Sequence, residues 1–297
     1  SAKYKKYGVD VIFRTGSAEK VLTDLINETQ ANQVVWARTY LPPLNERDTH
    51  IKTLLKQKGL LVKSFPGHLL FEPWSVSPKS SDFFKVYTPF WKATRLKAPL
   101  GFETKVSEII ATDQKLKTES LDGWHFGKGM SRGSSVVRHF VRLGEDAARE
   151  RLGYFISNNV MHYSISRDIP SLDGTSGLSE NLSLGEISPI ECWNAGLKAL
   201  EEGHDAAEIF LKELVWREFA YHLAHHTPRI LDSNWRQEWD SFPWNTNEKD
   251  EGVIRWKQGR TGIPFVDAAM RELYVTGRMH NRGRMIVASF LTKHLMT

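Results

Sequence analysis

The chain has 297 residues, 40% of them hydrophobic and 25% charged, with a formal net charge of +5; it is too large for one small core and ordinary in composition for a globular protein. Its single cysteine, Cys192, excludes an internal disulfide framework and a multi-cysteine zinc site and points to a reducing compartment, taken as the cytoplasm. No run approaches the roughly 18 apolar residues of a membrane span, so no membrane partner is expected.

The first seventy residues alternate between short apolar runs and amphipathic stretches. "VDVIF" (9–13) reads as a strand, and Ser17 opens a helix over 17–30. "QVVWA" (33–37) is a second strand, followed by a helix over 45–59 with Gly59 as its stop. "LLVKS" (60–64) is a third strand and "HLLF" (68–71) a short fourth. Strand–helix–strand at this spacing implies a parallel sheet, here a small one. From there the periodicity fades, and Pro73, Pro78, Pro89 and Pro99 mark a connector with short helices. Helical periodicity then dominates, best over 137–160, 184–202, 205–225, 264–275 and 281–296. The boundaries are set at 1–87 for a partial α/β domain, 88–150 for a linker and 151–297 for an all-α domain. The start without Met and the end inside an apolar helix read as a segment of a longer protein.

Three constellations carry candidate chemistry. The turn "DGTSGLS" (173–179) offers hydroxyls and backbone N–H groups to a phosphate ahead of a helix, without the lysine of a Walker loop. In the helix around 205–226, Glu213, Trp216 and Arg217 fall on one face, which serves either as a plain surface ion pair or as an acid and an indole presented together to a ligand. His222 and His226 are also one turn apart, but no carboxylate cluster accompanies them, so a metal site is not expected. The stretch "GRMHNRGRM" (277–285) breaks at Gly277 and restarts a helix near His280. It places Asn281 and Met285 one turn apart with Arg282 beside them, a rim suited to a flat heteroaromatic group next to a phosphate. From Glu251 onward eight Lys or Arg face three acids, a mild tilt toward polyanions.

Taken together, "GTSGLS", "ELVWREF", "W-x-x-G-x-TG-x-P-x-VDAAMREL" and "TG-x-MHNR-x-RM-x-x-ASFL" resemble, in order and spacing, the flavin-binding helical domain of the photolyase/cryptochrome family. "VVWARTYLPPLNERD" resembles its antenna domain, of Rossmann type, and "YTPFWKA" its entry to the linker. The family is longer at both ends. The resemblance implies FAD as cofactor and DNA containing pyrimidine dimers as partner, with the reduced, light-excited flavin lending an electron to a flipped-out dimer; the protein is expected to act as a monomer. It implies that Tyr163, Thr175, Ser176, Gly177, Leu178, Ser179, Phe210, Glu213, Arg217 and Asn281 bind FAD. Glu213, Trp216, Asn281, Arg282, Met285 and Arg167 would bind the dimer and its flanking phosphates, and Trp244 would be the outermost member of a tryptophan relay.

Asn281 and Met285 stand where relatives that repair (6–4) photoproducts carry histidines, which favours the cyclobutane-dimer type. Asn45 and Glu46 match antenna positions that touch a folate in some members; the antenna pigment, folate or deazaflavin, stays open, and Asn45 also reads as a helix N-cap. Arg278 stands where many relatives carry a bulky aromatic, which suggests a more cationic pocket edge, and Phe210 where some carry a tryptophan. Two competing readings are a cryptochrome-like light sensor without repair and a flavin-independent nucleic-acid-binding segment.

Overall fold

In a computed structural model of the chain, residues 2–5, 7–97, 99, 109, 112 and 114–297 are described. Helices of eight residues or more are labelled. Contacts divide the chain into two compact units, Ser1–Phe126 with Glu218–Pro228, and Gly127–Arg217 with Arg229–Thr297.

In the first unit Ser17 caps helix α1 (Ala18–Thr29), its hydroxyl accepting the Lys20 N–H at 3.4 Å, as the sequence led us to expect. Strand β1 (Gln33–Ala37), helix α2 (Pro42–Gln57) and strand β2 (Leu61–Phe65) form a strand–helix–strand unit. The two strands pair in parallel, from Gln33 opposite Leu61 to Ala37 opposite Phe65. Ile51, Leu55 and Val62 are the buried centre, with Leu22, Ile26, Val34 and Trp36 packed around them. Burying such side chains contributes about 1.5–3 kcal/mol each, which holds α1 and α2 on the sheet.

Two expected strands do not form. Residues 9–13 lie outside the sheet: the Phe13 N–H donates to Thr118 Oγ1 and the Phe13 carbonyl accepts the Glu119 N–H, both at 2.9 Å. Leu69, Leu70 and Phe71 of the 68–71 run are buried, yet the N–H groups of Leu70 and Phe71 go to the Glu218 carboxylate at 2.7 and 3.2 Å instead of a ladder. A short apolar run signals burial but does not say which partner takes its backbone. Helix α2 also starts earlier than expected. Pro42 occupies its first turn and Leu41 is the N-cap, while the Asn45 N–H already donates to the Leu41 carbonyl at 2.9 Å; Asn45 is therefore no cap.

Helix α3 (Tyr87–Thr94) follows, and residues 98, 100–108, 110, 111 and 113 of the expected linker lie outside the described residues. In the second unit the expected helix over 137–160 is shorter: a turn at Gly133–Val137 and then α4 (Glu145–Asn158). The one over 184–202 starts later, as α5 (Pro189–Glu201), whose cap Ser188 accepts the Glu191 N–H at 3.1 Å, and a separate helical turn, Ser179–Leu184, precedes it. Gly185, at φ +71°, closes the turn, and Pro189 occupies the first turn of α5, where its missing N–H costs nothing. Helix α6 (Ala207–His226) matches its expected range, as does α7 (Pro264–Thr276).

Gly277 ends α7 in the left-handed conformation, φ +74°, where a side chain would be strained. His280 then caps α8 (Asn281–Ser289), accepting the Arg282 N–H at 3.1 Å, and α8 loosens into a π turn over Phe290–His294 instead of running on to 296. Val266, Ala269, Met270, Met279 and Val287 pack these helices together, and the Trp256 indole donates to the Val287 carbonyl at 3.0 Å. The two methionines that flank the 279–285 stretch thus differ: Met279 is core, and Met285 is exposed.

Candidate functional site

The second unit holds a glycine-rich turn backed by arginines. Gly177 adopts φ +59°, a left-handed conformation that a side chain would disfavour by about 1–2 kcal/mol. This turns its carbonyl toward Arg151 Nη1 at 2.5 Å and Arg278 Nη2 at 3.3 Å. Glu180, one residue into the following helical turn, accepts from Arg151 Nη1 at 2.8 Å and from Arg278 Nε at 3.0 Å, with Arg278 Nη2 on its other oxygen. Arg151 also donates to Oδ1 of the fully buried Asn181 at 2.9 Å, and Asn181 Nδ2 donates to Glu186 at 2.7 Å. Burial works to raise the Glu180 pKa, but the hydrogen bonds from Arg278 and Arg151 outweigh it and hold the carboxyl below its usual range. Two guanidinium groups against one carboxylate leave a net positive charge behind the turn. No hydrogen bond within the described residues occupies the hydroxyls of Thr175, Ser176 or Ser179, while Leu178 is buried beneath them. Such a turn suits an anion, with fixed donors and a positive background.

A second cluster joins three elements. The Tyr163 ring stands edge-on to Phe155 at 5.2 Å and to Phe210 at 6.3 Å, and burial pushes its phenol up to about 12. The Arg167 guanidinium lies 5.5 Å over that ring and donates through Nη1 to Glu213 Oε1 at 2.6 Å. Arg282 donates through Nε and Nη2 to Asp168 Oδ1 at 3.0 and 2.7 Å, and through Nη1 to Met285 Sδ at 3.6 Å. Asp168 Oδ1 is also 3.5 Å from Arg167 Nε. Trp216 and Met285 are half open to solvent, at 46% and 57% exposure, and Asn281 is exposed at the first position of α8. Large apolar side chains left open beside a polar cluster suit a partly apolar ligand. Arg217 reaches the Leu182 carbonyl at 3.5 Å, on the helical turn that follows the glycine-rich loop.

The structure thus links Tyr163, Arg167, Phe210, Glu213, Arg282 and Met285 of the expected site by direct contacts. Trp244 stands apart, in a loop where it packs 4.4 Å from Phe242 and donates to the Trp239 carbonyl at 3.3 Å. Asn45 and Glu46 lie in the first turn and a half of α2, half-buried and exposed respectively. Arg278 is held by Glu180 and the Gly177 carbonyl, so its charge lies behind the turn and is shared with Arg151. Sequence reasoning missed Asp168, Arg151, Glu180 and Asn181. Asp168 adjoins Arg167 and Glu180 adjoins the turn, so adjacency was a usable signal for both; Arg151 carried none.

The paired histidines of α6 are structural. His222 Nδ1 donates to the Pro73 carbonyl at 3.0 Å and Nε2 accepts the Phe84 N–H at 3.1 Å, so both ring nitrogens are occupied. Burial pushes the His222 pKa down to about 4. Among the described residues no group of three or more His, Cys, Asp or Glu could hold a metal ion, and no helix is long and apolar enough to cross a membrane.

Residues 1–108 match the family model described as DNA photolyase, and residues 210–297 the one described as FAD binding domain of DNA photolyase. A deoxyribodipyrimidine photo-lyase of Agrobacterium fabrum is 40% identical over 299 aligned residues, covering 100% of this chain and 62% of its own length. Among solved structures, a bacterial class III photolyase from Agrobacterium tumefaciens superposes with a TM-score of 0.93 at 40% identity, covering 99% of this chain and 61% of that one. A cryptochrome of Synechocystis superposes at 0.82 with 26% identity, covering 98% of this chain and 61% of that one. The chain therefore spans a little over three fifths of the length of these relatives.

Proposed function

The chain belongs to the DNA photolyase/cryptochrome family, and from that premise we propose that the protein repairs cyclobutane pyrimidine dimers in DNA, driven by light and using FAD. The observation that carries this reading is the presence in one unit of an anion-ready turn and of an acid and an indole, Glu213 and Trp216, set on one helix beside two arginines.

The residues present fit the cofactor. The hydroxyls of Thr175, Ser176 and Ser179 are open to a diphosphate, and the net positive charge of Arg151, Arg278 and Glu180 favours one. The His280 Nε2 is buried without a partner among the described residues, a polar atom that a ligand or further chain would satisfy. Tyr163, Leu178, Phe210, Arg217 and Asn281 complete the set proposed to hold FAD. Bound and reduced, FAD would supply the excited electron that the repair requires.

This chain's own groups bind, orient and exclude water. Arg167 and Arg282 meet phosphates flanking the lesion, Trp216 and Met285 cover the apolar faces of the dimer, and Asn281 lines the rim. Glu213 meets the pyrimidine edge, its carboxylate accepting the ring N–H beside the carbonyl where charge develops, and Arg167 keeps that carboxylate in place until substrate arrives. A dimer leaves the duplex more readily than a sound base pair because it is already poorly stacked. Trp244 serves as the outer end of an electron relay, and Asn45 with Glu46 contacts an antenna chromophore of folate or deazaflavin type. The enzyme works as a monomer in the cytoplasm; the buried Cys192 thiol, pushed by burial up to about 12, suits a reducing compartment and no thiol chemistry.

The test uses the intact protein and an oligonucleotide carrying one thymine dimer, with dimer loss followed by chromatography in blue light and in darkness. Loss in light alone is expected. No loss under either condition, with flavin bound and photoreducible, would replace repair by light sensing; absence of stoichiometric flavin would leave only a nucleic-acid-binding role.

A further inference from the structure

Asp168 makes contacts that the repair reading does not use. Its Oδ1 accepts two hydrogen bonds from Arg282, at 3.0 and 2.7 Å, and lies 3.5 Å from Arg167 Nε. Arg167 and Arg282 are the two cations proposed to grip DNA phosphates, and this inference rests on that reading. One oxygen facing two convergent guanidinium groups is the arrangement a phosphate oxygen would take up. The contact is open to solvent, with 48% of the Asp168 side chain and 40% of the Arg282 side chain exposed. Exposed pairs of this kind are weak and easily exchanged.

The charge balance points the same way. Arg167 and Arg282 are matched by Asp168 and Glu213, so the cluster is neutral as it stands. Gripping two phosphates requires both guanidinium groups to turn outward while the two carboxylates stay behind. Glu213 has a use in that state, on the dimer. Asp168 has none there, and it remains as a negative charge next to the phosphate path. It adjoins Arg167 in the chain, so it cannot move far from the arginines when DNA arrives.

We propose that Asp168 is an internal competitor for the DNA backbone: a carboxylate that occupies Arg282 and Arg167 in the free protein and thereby limits affinity for undamaged DNA. The opposite role is a strut, in which Asp168 orients Arg282 toward DNA. The two roles give effects of opposite sign on removal of the charge. A competitor that is removed frees the cations, and binding tightens. A strut that is removed lets Arg282 wander, and binding weakens.

The experiment measures binding of an undamaged fluorescent duplex to the intact protein by anisotropy, between about 50 and 200 mM salt. Asp168→Asn should tighten binding roughly threefold to tenfold at the low end, and steepen the slope of log affinity against log salt by up to about 0.9, the increment for one further phosphate neutralised. Asp168→Glu, which keeps the carboxylate, should bind as the wild type does. Unchanged or weaker binding by Asp168→Asn at an unchanged melting temperature would overturn the competitor role. So would tightening by Asp168→Glu equal to that of Asp168→Asn. If the wild-type protein shows no salt-dependent binding to any DNA, the DNA reading itself falls and this inference with it, a result distinct from a difference between variants that fails to appear.

Discussion

Glu213 and Glu218 sit five residues apart on α6 and do opposite things. Glu218 is 3% exposed and accepts the N–H groups of Leu70 and Phe71, neutralising backbone donors that have no ladder to join. Glu213 leaves about a third of its side chain in solvent and has one charged partner in Arg167, 46 residues earlier. The buried carboxylate is locked by groups that cannot leave, whereas the half-open one is held by a flexible side chain that another anion can draw away. A structural acid and a site acid are told apart by what happens when the partner goes: one loses the fold, the other changes its task.

Breaking the structural half of this comparison should give the largest change. Glu218→Ala strands two buried N–H groups, and denaturant unfolding should show about 3 kcal/mol of lost stability or more. Acidification tests the same region through His222. Its folded pKa is depressed to about 4 from an unfolded value near 6.5, so the unfolded chain binds the extra proton over that window. Stability is then full above about pH 6.5 and falls as pH drops toward 4, by up to about 3 kcal/mol. Unfolding curves collected across that range should show the loss in the wild type, and replacing His222 by Gln should flatten it.

The site half calls for the reverse pattern. Glu213→Ala should change stability by less than about 1 kcal/mol, yet slow light-driven repair roughly tenfold to a hundredfold, because the dimer edge has lost its hydrogen-bond partner. Equal losses of stability and repair would erase the distinction between the two acids. The smallest effect is expected at Arg278. Arg278→Ala removes one of two guanidinium groups behind the turn and should weaken FAD retention roughly tenfold by equilibrium dialysis, with Arg278→Lys intermediate. Unchanged retention would show that Arg151 alone suffices to fix the Gly177 carbonyl.

Much of the fold was legible in the chain. Ser17 and Ser188 cap the helices they precede, Pro264 and Gly277 bound α7, and the alternation of β1, α2 and β2 gives a parallel pair. Failures came where a partner was distant. Residues 9–13 and 68–71 look like strands because apolar runs signal burial, but their backbone groups are met by Thr118 and Glu119 in one case and by Glu218 in the other. Asn45 looked like a cap because Asn commonly is one, and Pro42 started the helix before it.

The candidate site divides in the same way. The turn at 173–179, the Glu213–Trp216 face and the restart of the helix at His280 were readable because each depends on residues within one or two turns of each other: a glycine that accepts a positive φ, side chains three or four apart, a capping imidazole. The pairing of the charges was not readable. Arg167 joins Glu213, Arg278 joins Glu180 across 98 residues, and Arg282 joins Asp168 across 114. Several acids of equal charge stand within reach of each arginine in sequence terms, and Coulomb attraction alone does not choose among them. Only the packing of α7, α8 and the helical turns around the loop brings one carboxylate to each guanidinium, and that choice decides which pairs are enclosed and which stay exposed and exchangeable.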